Sequence, residues 1–256
     1  MGIFDNHQTI KPEEVKINEE NYFNNIDDIK KSRGVKILGY GRPATGKTHF
    51  ALTALGVIYF MDTERSVTLL RSKFPDKKIF VLEVYETKPE SGERDDVASY
   101  ERILSAVNNL YLKNVEDCII VIDSISDLWK LSQNYAKIKI FKKKPSERLN
   151  QQWDWGVIND LYNDIIKKLL HLNCDVILLA RASQEYSGPG QAIDEWSPNC
   201  QKDTEYLMDV VLYFKKILKN KQPIFIVEIQ KCRQKGEVIG QEYENLDMGK
   251  LKEILK

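Results

Sequence analysis

Residues 41–48 read Gly-Arg-Pro-Ala-Thr-Gly-Lys-Thr, a full match to the pattern G-x-x-x-x-G-K-[ST]. Phosphate oxygens need several converging backbone N–H groups, and glycines such as Gly41 and Gly46 let the chain turn tightly enough to supply them. Lys47 adds a point charge for the β- and γ-phosphates, and the Thr48 hydroxyl is a ligand type for Mg²⁺. The expected nucleotide-binding set is therefore Gly41, Arg42, Pro43, Ala44, Thr45, Gly46, Lys47, Thr48 and His49, with ATP and Mg²⁺ as the implied ligands. The competing reading, a glycine turn with a chance lysine, lacks a reason for the apolar run 35–40 before the loop and the helix-forming run after it.

A Mg²⁺–phosphate centre also needs carboxylates at neighbouring strand ends. Asp123 closes the apolar run CIIVID (118–123) and is the expected second metal-holding group, the Walker B position. It could instead cap the helix that follows. Hydrolysis further needs a group that orients water, and Asp62 and Glu64 in MDTE follow the next apolar run. In a parallel sheet the C-terminal strand ends share the edge where ligands bind, so both qualify by position. Alternatively they begin a helix at Arg65.

These residues are positioned by an alternation of strand-like and helical segments. Strands are expected at 35–40, 57–62, 78–84, 118–123 and 174–180, and helices at 47–56, 96–111, 125–140 and 157–172. The last of these helices repeats apolar pairs every four residues, from Val157/Ile158 to Leu169/Leu170. A polar, glycine-containing loop is expected from 183 to 198. Residues 209–219 and 223–231 are strand-like and separated only around Asn220, which reads as a hairpin, and a final helix covers 248–256. The expected class is α/β: a central, mostly parallel sheet flanked by helices, with an antiparallel C-terminal hairpin. Residues 1–33 form a polar arm and 34–256 a single ATPase domain.

The 38 basic and 38 acidic residues balance, so no global field draws the chain onto nucleic acid, and DNA binding would need a local patch or an assembly. Cys118, Cys174, Cys200 and Cys232 form no C-x-x-C pair and are expected to be reduced and structural, in a cytoplasmic setting. His7, His49 and His171 show no metal-ligand spacing. No run approaches the ~20 apolar residues of a membrane span. The N-terminal residues lack the apolar core of a signal peptide, and Asn6 stands where a myristoylation site needs Ser or Thr.

Taken in order, YGRPATGKT, YFMDTE, IIVIDS and QKCR resemble the RecA-like P-loop ATPases, over about residues 34–256. Within that group the chain looks most like the small single-domain proteins of phages and archaeal viruses or plasmids, several of which are linked to single-strand annealing and recombination. The resemblance implies that Glu64 is the catalytic base alongside Lys47 and Asp123. It also implies that Lys231 and Arg233 reach the γ-phosphate of a neighbouring subunit, so that the active form is a homo-oligomer, ring or filament. A basic strand end facing solvent is the other reading of that pair. Where RecA-type recombinases often carry glutamine at the end of the fifth strand, this chain has Arg181, a candidate phosphate sensor. No additional DNA-binding domain is recognisable.

In RecA-like filaments the loops after the fourth and fifth strands face the axis. Here those are about 137–152 and 183–198. The first carries Lys142, Lys143, Lys144 and Arg148, with Tyr135 and Phe141 nearby, a set suited to phosphates and bases of single-stranded DNA. A merely solvated lysine loop is the alternative. Trp153, Trp155 and Trp196 are expected as hinge packing and Trp129 as core. The function expected is ATP hydrolysis coupled to single-stranded DNA in recombination, annealing or repair. The alternatives are a nucleotide-dependent protein switch and a helicase or helicase-loader motor.

Overall fold

The computed structural model describes residues 33–149, 152–188 and 191–256, so the expected arm falls outside the described residues except for Arg33. The elements run β1 (Lys36–Gly41), α1 (Lys47–Leu52), β2 (Val57–Asp62), α2 (Ser66–Leu70), β3 (Ile79–Glu83), β4 (Glu86–Thr87), β5 (Arg94–Asp95), α3 (Asp96–Leu112), β6 (Glu116–Asp123) and α4 (Ile125–Tyr135). They continue with α5 (Gln152–His171), β7 (Asn173–Gly188), β8 (Gln191–Pro198), α6 (Thr204–Leu207), β9 (Val210–Lys219), β10 (Gln222–Cys232), β11 (Glu242–Glu244) and α7 (Met248–Leu255).

The main sheet has the order β11-β10-β9-β1-β7-β6-β2-β3, with β8 paired to β7. From β9 to β3 every pair is parallel, while β9–β10, β10–β11 and β7–β8 are antiparallel. Alternation along the central strands explains why they are apolar throughout. Leu38 and Tyr40 of β1, Ile120 and Ile122 of β6, and Val176 and Leu178 of β7 pack with α3, α4 and α5 on one face. Ile37, Ile119, Val121, Ile177 and Leu179 pack with α1 and α7 on the other. Burial on both faces is the condition under which a parallel strand loses its polar alternation.

Several expectations are revised. Residues 183–198 are not a loop: β7 runs on to Gly188 and returns as β8. Beyond Arg181 neither face of this ribbon is fully buried, so no sustained apolar alternation marks it as strand. The helix expected at 125–140 is α4 followed by a π-helical turn, Ala136–Ile140. α5 begins at Gln152, five residues before the apolar pairing starts, and its first turn carries Trp153 against Phe141 and Trp155 against Trp129, both rings partly open to solvent. Trp129 is partly buried against the core, with its ring edge-on to Tyr162 at 5.4 Å. α1 stops at Leu52, before Gly56. The β9–β10 hairpin turns as expected, with Asn220 and Lys221 both at positive φ, the geometry that matches strand twist in a two-residue turn.

Candidate nucleotide site

The loop between β1 and α1 is built by local chemistry. Gly41 ends β1 so close to β9 that a Cβ there would lie 2.5 Å from the Phe214 carbonyl oxygen. Gly46 precedes α1 at φ 93°, a left-handed conformation that side chains disfavour. Thr45 Oγ1 donates to the Arg42 carbonyl at 2.8 Å, and Lys47 Nζ reaches back to the carbonyls of Gly41 (2.9 Å) and Arg42 (3.0 Å). Burial holds the Lys47 ammonium below its usual pKa, against the opposing pull of Asp123 and Glu64. Arg42 is exposed and lies over the Trp196 ring.

Parallel register brings the carboxylates to this loop. Asp62 of β2 pairs with Asp123 of β6, and Asp123 with Leu179 of β7. The Thr48 hydroxyl donates to Asp123 Oδ2 at 2.6 Å, so the two expected metal-holding groups meet. Asp123 is 2% exposed. Burial first, then the charges of Glu64 and Asp62, raise its carboxyl to about 6 despite the Thr48 hydrogen bond and Lys47. A hydroxyl and a buried carboxylate under electrostatic pressure from other acids form a donor set that fits a hard divalent cation completed by phosphate oxygens and water. Asp123 does not cap α4; Ser124 does, accepting from Asp127 N–H.

Asp62 and Glu64 part company. Asp62 is buried and accepts the backbone N–H groups of Glu64 (2.9 Å) and Val67 (3.0 Å), fixing the turn into α2. The helix-starting alternative holds for it. Glu64 is exposed, lines the same cleft as Lys47, Thr48 and Asp123, and takes Arg181 Nε and one terminal nitrogen on Oε1 at 3.1 and 2.9 Å.

The cleft has a volume of about 710 Å³. Its far wall, from Phe225, Val227, Asn245, Leu246 and Asp247, was not anticipated. Phe225 would lie 3.6 Å from a Cβ on Gly46, so an aromatic face borders the phosphate loop. Only the fold of β10 and β11 brings these residues there, and nothing local in their sequence marks them. His49 lines the cleft too, with its pKa lowered by burial and Lys73.

The remaining expected residues lie apart. Lys231 pairs with Val211, level with Leu38, three residues back from Gly41 along the sheet. Its Nζ donates to the carbonyls of Glu205 and Tyr206, and Arg233 donates to the Tyr206 carbonyl. Neither lines the cleft of its own chain. Lys142, Lys144 and Arg148 are exposed. Lys143 is drawn inward, 3.7 Å from buried Asp154 and near the Phe141 ring, which removes it from a freely accessible basic set. Among the described residues no helix is long and apolar enough to cross a membrane.

Residues 33–236, about four-fifths of the chain, match the family model described as AAA domain. No curated protein sequence matches the chain. Among solved structures, a KaiC-like protein from the hyperthermophilic archaeon Pyrococcus horikoshii OT3 is similar at a TM-score of 0.50 and 17% identity, over 82% of this chain and 84% of that one. At that identity the likeness concerns the fold, which is RecA-like, with a mostly parallel sheet and antiparallel C-terminal strands.

Proposed function

The chain belongs to the AAA domain family, and from that premise we propose that it hydrolyses ATP with Mg²⁺ and couples turnover to single-stranded DNA as a homo-oligomer. The observation that carries the hydrolytic part is the 2.6 Å contact of Thr48 with Asp123 in a cleft that Glu64 also lines. The loop N–H groups and Lys47 bind and orient the phosphates. Thr48 and Asp123 would hold Mg²⁺, which when bound would neutralise charge on the phosphate oxygens. Glu64 accepts a hydrogen bond from the attacking water and takes its proton. Phe225 and Leu246 give the cleft an apolar wall that limits water around the phosphates.

The DNA part rests on the exposed Lys142, Lys144 and Arg148 and on the projecting β7–β8 ribbon with its exposed Tyr186. Cations that neutralise phosphates and an exposed aromatic that can stack on a base are the two kinds of contact a single strand uses. A second reading, a slow nucleotide-dependent switch or loader acting on proteins, is favoured by the exact balance of 38 basic and 38 acidic residues.

One experiment tests both: ATP hydrolysis with and without single-stranded DNA, at low and moderate salt, for wild type, Lys47→Ala and Glu64→Gln. Turnover is expected to depend on both residues, with Glu64→Gln losing about 10²-fold or more. DNA stimulation is expected to weaken as salt rises. Turnover retained by Lys47→Ala sinks the assignment of the site. Intact turnover without DNA stimulation sinks the DNA reading and leaves the protein-directed one.

A further inference from the structure

Asp127, in the first turn of α4, collects more polar partners than its position suggests. It is 8% exposed. Its Oδ2 accepts the Thr63 hydroxyl at 2.7 Å, the Ser124 hydroxyl at 3.0 Å and an Arg181 terminal nitrogen at 2.7 Å. The Tyr85 phenol feels this carboxylate too: its pKa is pushed up to about 12, by burial first and then by the Asp127 charge. A buried carboxylate is tolerated when it is paired and hydrogen-bonded, as here.

We propose that Asp127 is a positioning residue for hydrolysis: it clamps Arg181, and Arg181 in turn holds Glu64 across the end of β6, above Asp123. This rests on the ATPase reading of the cleft. Asp62, Asp123 and Leu179 lie level on β2, β6 and β7. Glu64 is two residues beyond Asp62, and Arg181 two beyond Leu179. The two side chains therefore meet over the strand between them, whose last residue is Asp123.

Both members of that bridge are substantially exposed, 48% for the Arg181 side chain and 39% for Glu64. An ion pair this open is weak and does not by itself hold two long side chains in one geometry. The Asp127 side chain, 10% exposed, supplies the fixed end. The Arg181 backbone is also pinned, because its N–H donates to Ser126 Oγ at 3.0 Å. The planar guanidinium then transmits the position of a buried acid to a cleft-lining one, which a lysine ammonium cannot do. Asp127 and Arg181 do not line the nucleotide cleft themselves, whereas Glu64 does. Loss of the clamp should accordingly affect turnover and not nucleotide affinity.

The test uses Asp127→Asn, Arg181→Gln, Arg181→Lys and the Asp127→Asn/Arg181→Gln double variant. Steady-state ATP turnover is measured beside equilibrium binding of a fluorescent ATP analogue. Each single variant should lower kcat about 10-fold or more while nucleotide affinity stays within about 2-fold, because misplacing a reacting group costs rate and not binding. The double variant should be no slower than the slower single, since the two residues act in series. Arg181→Lys should fail to restore kcat. Arg181 lies at the surface, so its variants keep the inference open to test even if Asp127→Asn does not fold. Wild-type kcat in the Arg181 variants, multiplying effects in the double variant, or an affinity loss that matches the rate loss would each overturn it. If the wild type shows no Lys47-dependent turnover, the ATPase reading and the positioning inference fall together; if it does and the variants match it, the positioning inference alone falls.

Discussion

The Thr48 hydroxyl and Asp123 Oδ2 lie 2.6 Å apart although 75 residues separate them in the chain. Two parallel strand pairs, β1–β7 and β7–β6, bring the phosphate loop and the end of CIIVID to the same sheet edge. The contact joins a neutral donor to a buried carboxylate that its surroundings push toward protonation. A divalent cation relieves that pressure better than the hydroxyl does.

The first prediction follows from this contact. Thr48→Val, which keeps the shape and removes the oxygen, should raise the Mg²⁺ concentration needed for half-maximal turnover by on the order of 10-fold. Thr48→Ser should stay near wild type. Asp123→Asn should behave like Thr48→Val or worse. A Mg²⁺ titration of ATPase activity reads all three, and an unchanged Mg²⁺ requirement in Thr48→Val would reject the pair as the metal seat.

The second prediction concerns Lys231 and Arg233. Their register, and their hydrogen bonds to the carbonyls of Glu205 and Tyr206, keep them from the cleft of their own chain. If they act on a neighbouring subunit, Lys231→Ala/Arg233→Ala should lose turnover about 10³-fold, the scale of an arginine finger, while binding ATP nearly as wild type. Mixing that protein with Lys47→Ala should restore activity, because some interfaces then carry an intact loop facing an intact pair. No recovery on mixing, together with a lowered melting temperature of the double variant, would mean that the pair only ties β10 to α6.

How much of this was legible in the sequence depends on the range of the cause. The turn from β1 into α1 was readable, because glycine geometry and a following helix act within ten residues. The parallel core was readable because burial on both faces makes a strand such as 118–123 continuously apolar. Asp62 and Glu64 looked equivalent, since both follow the same strand. What separates them is that Asp62 faces inward onto backbone N–H groups while Glu64 meets Arg181, a partner 117 residues away. Asp127 carried no mark at all, as an acid in the first turn of a helix is ordinary and its partners Thr63 and Arg181 lie 64 and 54 residues away. Lys143 could not be told from Lys142 and Lys144 without the buried Asp154 that draws it in.

The last prediction concerns stability, at the N-terminal end of β1. Lys36 is 0% exposed, and its Nζ donates to the carbonyls of Leu172 (2.8 Å), Cys174 (2.6 Å) and Arg33 (3.1 Å). Burial, aided by Arg33, lowers its pKa to about 8 against the opposing effects of Cys174, Asp209 and Asp175. Below about 8 both the folded and unfolded chains carry the charge, and the cost of burying it is present in full. Between about 8 and the ordinary lysine value of 10.5 the unfolded chain binds more protons, so stability rises with pH. Urea unfolding from about pH 7.5 to 9.5 should therefore show wild type gaining roughly 1–2 kcal/mol relative to Lys36→Met. The difference between the two proteins carries the reading, because it removes the titrations that the two chains share. The range stops short of the buried tyrosines Tyr40 and Tyr100, whose raised pKa values give the opposite slope at higher pH. Parallel pH profiles for wild type and Lys36→Met would mean that Lys36 stays charged in the fold throughout, held by its three carbonyls.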